Sequence, residues 1–189
     1  MRLIIDSEGG GEIHYKIIDA ICSLHKRDSL IDVGCGFAPQ TRKLQFAKKK
    51  YIDIVERDLE EANDDFEVVD ILELIKEPPV TKQYDVAICL DCIEHFRRSD
   101  AARVIVWMER IADTKIFFTP LGDYIIETEP TNNPDSHKSG WMPEDFEKIG
   151  YATIVFPNYH SKMNLGAFFA FKTKNAEQDF VILKQLIGA

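Results

Sequence analysis

The chain has 189 residues, enough for one domain with a substantial core and little room for a second. Its 45% hydrophobic and 29% charged residues read as globular rather than disordered. A formal net charge of −9 disfavours a nucleic-acid partner, because proteins that grip phosphate backbones carry basic surfaces.

The opening run "MRLIIDSEGGGE" holds one Arg and too short an apolar stretch for a secretory signal. No later stretch reaches the roughly 18 uninterrupted apolar residues that a membrane span requires. Ile13, Ile17, Ile21 and Leu24 recur at helical spacing and predict an amphipathic helix over 11–26. Seven apolar runs follow: "SLIDV", "YIDIV", "FEVV", "YDVAICL", "KIFFT", "YATIVF" and "AFFAF". They are rich in Val, Ile and Phe with few alternating polar positions, as in strands buried on both faces. Pro39 is placed to open a helix after the first run. "KLQFAKKK" (Lys43 to Lys50) reads as a solvated helix face. "RRSDAARVIVWMERIAD" carries a helical pattern between the fourth and fifth runs. Strand–helix alternation of this kind predicts a single-domain, doubly wound α/β fold, a mostly parallel seven-stranded sheet with helices on both faces. Its parts are an N-terminal helical segment (1–27), a core (28–174) and a C-terminal helix (175–189). The longest expected loop runs from Gly122 to Gly140.

Cys22, Cys35, Cys89 and Cys92 suggest no disulfide framework, and the C-x-x-C pair lacks a second pair at metal spacing. They read as buried thiols, no metal is expected, and the expected location is cytoplasmic.

The chemistry concentrates at "SLIDVGCGFAPQT". In a doubly wound sheet, ligands bind beyond the carboxyl ends of the strands, where the Gly34-Cys35-Gly36 turn falls. Glycines there allow unusual backbone angles and close approach of a ligand. A dinucleotide site wants a third small residue where Pro39 stands, and Asp32 before the first glycine would repel a pyrophosphate. S-adenosylmethionine, with an ammonium and a sulfonium and no phosphate, suits that acid. Later strand ends carry further acids. Glu56 stands about twenty residues past the glycines, where an acid accepts from ribose hydroxyls. Asp70 is placed to accept from an adenine amino group while Ile71 packs on the ring. Asp91, Glu94 and His95 follow the fourth run, near the reacting end.

Taken together, "IDVGCGFA", "VERD", "VVDIL" and "LDCIEHF" resemble the first four motifs of class I S-adenosylmethionine-dependent methyltransferases, in order and spacing. "KIFFTP" and "HKSGWMPEDFEKIGY" resemble later segments, so the resemblance covers about residues 10 to 174. It implies that Asp32, Gly34 and Gly36 hold the methionine part, Glu56 the ribose, and Asp70 with Ile71 the adenine. Cys35, Arg57, Leu90 and Asp91 complete the cofactor wall that it implies. Ala38 replaces the family's third glycine, and Glu56 a more usual Asp.

Methyl transfer needs alignment and, for some nucleophiles, a base. His95, Asp91, His137 and His160 are the candidates, with Glu94 placed to orient His95. No Asn/Asp-Pro-Pro-Tyr and no Pro-Cys follows the fourth run, which disfavours base-modifying enzymes and leaves a small-molecule or glycan-type acceptor. The alternatives are a methyltransferase-like binding or regulatory module without transfer activity, and an NAD-dependent oxidoreductase.

Overall fold

The computed structural model describes residues 1–6, 10–56, 65–77, 81–123, 136–160 and 165–188, and the side chain of His160 lies outside it. Among the described residues eight strands form one sheet: β1 (Arg2–Ile4), β2 (Ser29–Val33), β3 (Lys48–Asp53), β4 (Asp65–Val68), β5 (Tyr84–Leu90), β6 (Ala112–Pro120), β7 (Ala152–His160) and β8 (Leu165–Lys172). The helices are α1 (Gly11–Cys22), α2 (Ile71–Leu74), α3 (Arg98–Ile111), α4 (Pro143–Glu147) and α5 (Ala176–Ile187). The strand order is β1-β7-β8-β6-β5-β2-β3-β4. Every neighbouring pair is parallel except those made by β8, which runs antiparallel to both β6 and β7.

The sheet thus has one strand more than the seven apolar runs. The extra one is β1, three residues at the edge, with Arg2, Leu3 and Ile4 in register with Thr153, Ile154 and Val155. Three residues are too few to show a period, and partnership with β7 makes them a strand.

Two apolar layers cover the sheet. In β8, Phe168 and Ala170 face α3 and α4, while Phe169 and Phe171 face α1 and α5. The strand period of two sends successive side chains to opposite faces, and both faces are dry. On α1, Ile17, Ile18 and Ile21 are fully buried against that second layer, so the predicted stripe is real although the helix ends at Cys22. Phe180 and Leu183 of α5 close the same face.

Two local expectations change. Pro39 opens no α-helix; Gln40 is followed by a single 3-10 turn at Thr41–Lys43. "KLQFAKKK" is not a helix face, because Lys48, Lys49 and Lys50 begin β3. Lys50 pairs with Asp65 at 2.9 Å and Glu67 at 2.8 Å on β4, and these cross-strand partners place a charged segment in a sheet. All four cysteines are free and buried, as the sequence suggests. Among the described residues no helix is long and apolar enough to cross a membrane.

Phe169 packs against the rings of Phe118 at 4.6 Å and His14 at 4.9 Å. Phe169→Ala is expected to cost about 3–5 kcal/mol. That lowers the Tm by roughly 10 °C in a domain of this size. Val181→Ala, on an exposed position of α5, should change stability by no more than about 0.5 kcal/mol. Urea unfolding of both variants checks the assignment of faces.

Candidate active site

β3 and β4 lie on one side of β2, and β5 and β6 on the other, so the winding reverses between β2 and β5. A reversal of this kind leaves a cleft beyond the strand ends. Here the cleft is a cavity of about 310 Å³. Gly34 and Gly36 line it from the turn after β2, and Asp53 from the end of β3. Asp70 and Ile71 line it after β4, and Asp91, Cys92 and His95 after β5.

The glycine turn is bound to β3 by its own amides. The N–H groups of Gly34 and Cys35 both donate to Ile52 O, at 2.8 and 3.1 Å. Gly34 and Gly36 have φ of +65° and +53°, which suits residues without a Cβ. A Cβ on Gly34 would also run into the side chain of Cys92, whereas one on Gly36 meets open space. Ala38, standing for the third glycine, holds φ +48° and is buried, so the turn keeps its shape with a strained alanine.

Asp32 lies beneath this turn rather than on the cavity wall. It is 2% exposed, and its Oδ2 accepts from the Thr41 hydroxyl at 2.5 Å. Burial pushes its pKa up to about 7, with the Thr41 hydrogen bond opposing. Asp32 therefore ties β2 to the chain beyond the glycines.

The carboxylate that reaches the cleft from β3 is Asp53. Its Oδ2 accepts from Gly36 N at 2.8 Å and its Oδ1 from Val55 N at 2.9 Å. The second bond is an Asx-type turn, in which an Asp side chain mimics a backbone turn and ends the strand. Glu56, three residues further on, is exposed and does not line the cavity. Arg57 lies outside the described residues. Asp70 caps α2 by accepting from Leu72 N at 2.8 Å, and its neighbour Ile71 is buried against the same wall. Cys35 and Leu90 do not line the cavity.

After β5 the chain turns sharply, with Asp91 at φ +46°, a conformation Asp tolerates better than most residues. Asp91 is exposed on the cleft, and desolvation by the protein atoms around it pushes its pKa up to about 6. Glu94 is 2% exposed. Burial, with the neighbouring Asp91 charge, pushes it up to about 8. The Glu94 carboxylate accepts from the Thr119 hydroxyl at 3.0 Å. His95 Nδ1 donates to the carbonyl of Ser136 at 3.2 Å.

That contact brings in a distant segment. The N–H groups of Lys138 and Ser139 donate to the Glu94 carbonyl at 2.7 and 3.1 Å. His137 consequently meets His95 edge-to-face, with ring centroids 4.9 Å apart. One ligand-type atom from each of Glu94, His95 and His137 lies within 4.8 Å of the others, a set able to hold a metal ion. Trp141 closes a core corner: it is 4% exposed, donates to Ser139 Oγ at 3.0 Å and packs on Phe146. Much of the preceding loop, 124–135, lies outside the described residues.

Asp53 is the residue that sequence reasoning missed. It sits inside "YIDIV", which reads as one unbroken strand, although an Asp after a β-run is also a turn signal. Phe96 and Lys138 also line the cleft; both fall in segments the motifs marked, but neither was singled out.

No protein-family model matches the chain, and no curated protein matches it significantly. Solved structures do. The methyltransferase domain of bacterial CtHen1 superposes with a TM-score of 0.57 at 14% identity, covering 86% of this chain and 98% of that one. The N-methyltransferase NodS of Bradyrhizobium japonicum, in complex with S-adenosyl-L-homocysteine, gives 0.59 at 13% identity over 85% and 84%. The 1,6-didemethyltoxoflavin-N1-methyltransferase of Burkholderia thailandensis, with bound 1,6-didemethyltoxoflavin and S-adenosylhomocysteine, gives 0.55 at 14% over 84% and 79%. The chain has the Rossmann-like fold of class I S-adenosylmethionine-dependent methyltransferases, as the sequence motifs imply.

Gly34→Ala adds both backbone strain and overlap with Cys92, so it should destabilise the fold by roughly 2–5 kcal/mol. Gly36→Ala adds the strain alone and should cost about 1–2 kcal/mol. Equal urea midpoints for the two would contradict the packing of Cys92 on the turn. Asp32 provides a pH test. A carboxyl whose folded pKa is raised favours the fold while protonated, and that contribution is lost as pH rises through the folded value. Between about pH 4 and 7 the parent should therefore lose more stability than Asp32→Asn, as read by denaturant titrations across that window.

Proposed function

We propose that the cleft binds S-adenosylmethionine and that the chain transfers its methyl group to an oxygen or nitrogen nucleophile of a small-molecule or glycan-type acceptor. The observation that carries this reading is the convergence of glycine turn and acids from three strand ends on one cavity. Its neighbours in fold support it, two of them holding S-adenosylhomocysteine. A cavity of this size is within the range for small-molecule sites.

The residues divide by position. The face of the turn at Gly34 and Gly36, bare of Cβ atoms, receives the methionine part. Asp53, not Glu56, takes the ribose hydroxyls, because each carboxylate oxygen keeps acceptor capacity beyond the one amide it binds. Asp70 and Ile71 hold the adenine edge and face, with Val69 and Leu72 beside them. A cationic ligand near Asp91 favours its ionised form and offsets the cost of enclosing it. When bound, the cofactor supplies an electrophilic methyl on a sulfonium; the chain aligns the acceptor and manages its proton. Asp91, His95 and His137 stand at that end.

Calorimetric titration with S-adenosylhomocysteine tests the division. Hydrogen bonds to a charged group are worth about 1.5–3 kcal/mol, so Asp53→Ala should weaken binding tenfold to a hundredfold. Glu56→Ala should weaken it less than threefold. No saturable binding by the parent, with NAD binding instead, would defeat the methyltransferase reading. The reverse ranking of the two variants would return the ribose to Glu56.

A further inference from the structure

We propose that Glu94, His95 and His137 form a divalent-cation centre at the acceptor end of the cleft, and that the cation holds a hydroxyl of the acceptor. This deepens the methyltransferase reading and rests on it.

The geometry is the first support. The three ligand-type atoms lie within 4.8 Å of one another. Ligands at about 2.1 Å from an ion stand up to roughly 4.2 Å apart across it, so small side-chain rotations suffice to close the set. The cluster is also assembled from afar. His137 is placed beside residues 42 positions earlier in the chain by two amide bonds, Lys138 N and Ser139 N to Glu94 O, at 2.7 and 3.1 Å. Backbone pairing of this kind fixes the second histidine against the first.

The outer partners are those a metal site uses. A ligating histidine generally donates its other N–H to a carbonyl or carboxylate, which sets the tautomer. His95 Nδ1 donates to Ser136 O at 3.2 Å, which leaves the lone pair on Nε2. The Glu94 carboxylate is likewise steadied by the Thr119 hydroxyl at 3.0 Å. The edge-to-face meeting of the imidazoles, at 77°, keeps the rings from stacking flat. Two imidazoles and a carboxylate suit Mn²⁺, Fe²⁺, Co²⁺ or Zn²⁺ better than Mg²⁺ or Ca²⁺. Three protein ligands leave coordination positions open, as in catalytic rather than structural sites.

An open position explains the choice of acceptor. A cation lowers the pKa of a bound hydroxyl, generating an oxygen nucleophile at neutral pH. The O–H proton passes to Asp91 or to water. The oxygen lone pair then forms the new O–CH₃ bond as the C–S bond breaks, its electrons remaining on the departing thioether sulfur. His95 and His137 are ligands here, and the proton-accepting role falls to Asp91.

Mn²⁺ is the probe. Chelator-treated protein should bind one Mn²⁺ per chain, read from loss of the free-ion electron paramagnetic resonance signal. Zn²⁺ should displace it. His137→Ala should weaken Mn²⁺ binding at least tenfold with the circular dichroism spectrum and S-adenosylhomocysteine affinity unchanged, and Glu94→Gln should weaken it similarly. Bound Mn²⁺ should enhance water-proton relaxation, which reports the exchangeable positions an acceptor oxygen would take. Parent binding no tighter than that of a His95→Ala/His137→Ala variant overturns the centre. Tight binding without relaxation enhancement overturns the acceptor role. Failure of S-adenosylhomocysteine to bind, with Mn²⁺ still bound, defeats the cofactor reading instead and leaves the centre standing.

Discussion

The C-terminal edge of the sheet depends on how one carboxylate closes β3. Asp53 takes Val55 N with one oxygen and Gly36 N with the other, so it ends its own strand and fixes the neighbouring glycine turn. Both bonds are charge-assisted, roughly twice as strong as neutral ones, and both are made at the mouth of the cleft. The turn has little freedom left once Gly34 and Cys35 also donate to Ile52 O. A cleft whose walls are already held in place needs less ordering when a ligand arrives, which is where preorganised sites gain affinity.

The opposite wall is organised around Glu94, by a different means. Its backbone carbonyl receives two amides from the segment at 138–139, while its carboxylate is buried and held by Thr119. The segment continues into Trp141, which is sealed into the aromatic group of Phe146, Tyr151, Phe117 and Phe168. Arg98 covers the outer face of Trp141 at 4.1 Å and also pairs with Asp145. Late sequence is thus anchored in the core on one side, while on the other Lys138 lines the cleft and His137 meets His95. Raised carboxyl pKa values at Asp91 and Glu94 are the electrostatic counterpart, since neighbouring acids that lose hydration favour protons or cations.

Much of this was legible in residue order alone. Apolar runs buried on both faces, separated by helical patterns, dictate a doubly wound sheet because such strands have no face to offer water. Glycines directly after the first long run dictate a close-approach turn, since few residues with a Cβ take those angles at low cost. Asp91 and His95 follow the dry strand β5, where a polar residue emerges as the sheet meets solvent; Asp70 follows β4, an exposed edge strand rather than the run buried on both faces that "FEVV" suggests.

What the sequence did not determine has a common physical origin. A one-dimensional pattern carries no information on which distant backbone groups pair. Lys48 to Lys50 become a strand because β2 supplies their ladder partners and β4 supplies acids to Lys50, and Arg2 to Ile4 because β7 supplies an edge. Asp53 emerges at the cleft, and Glu56 beyond it, because a side-chain bond to Val55 stops the strand two residues before its apolar pattern ends. His137 joins His95 through amides that no spacing rule links. Local chemistry determined the sheet and its glycine turn. Only tertiary structure decided which acids and histidines share the cleft, because that depends on pairings between segments far apart in the chain.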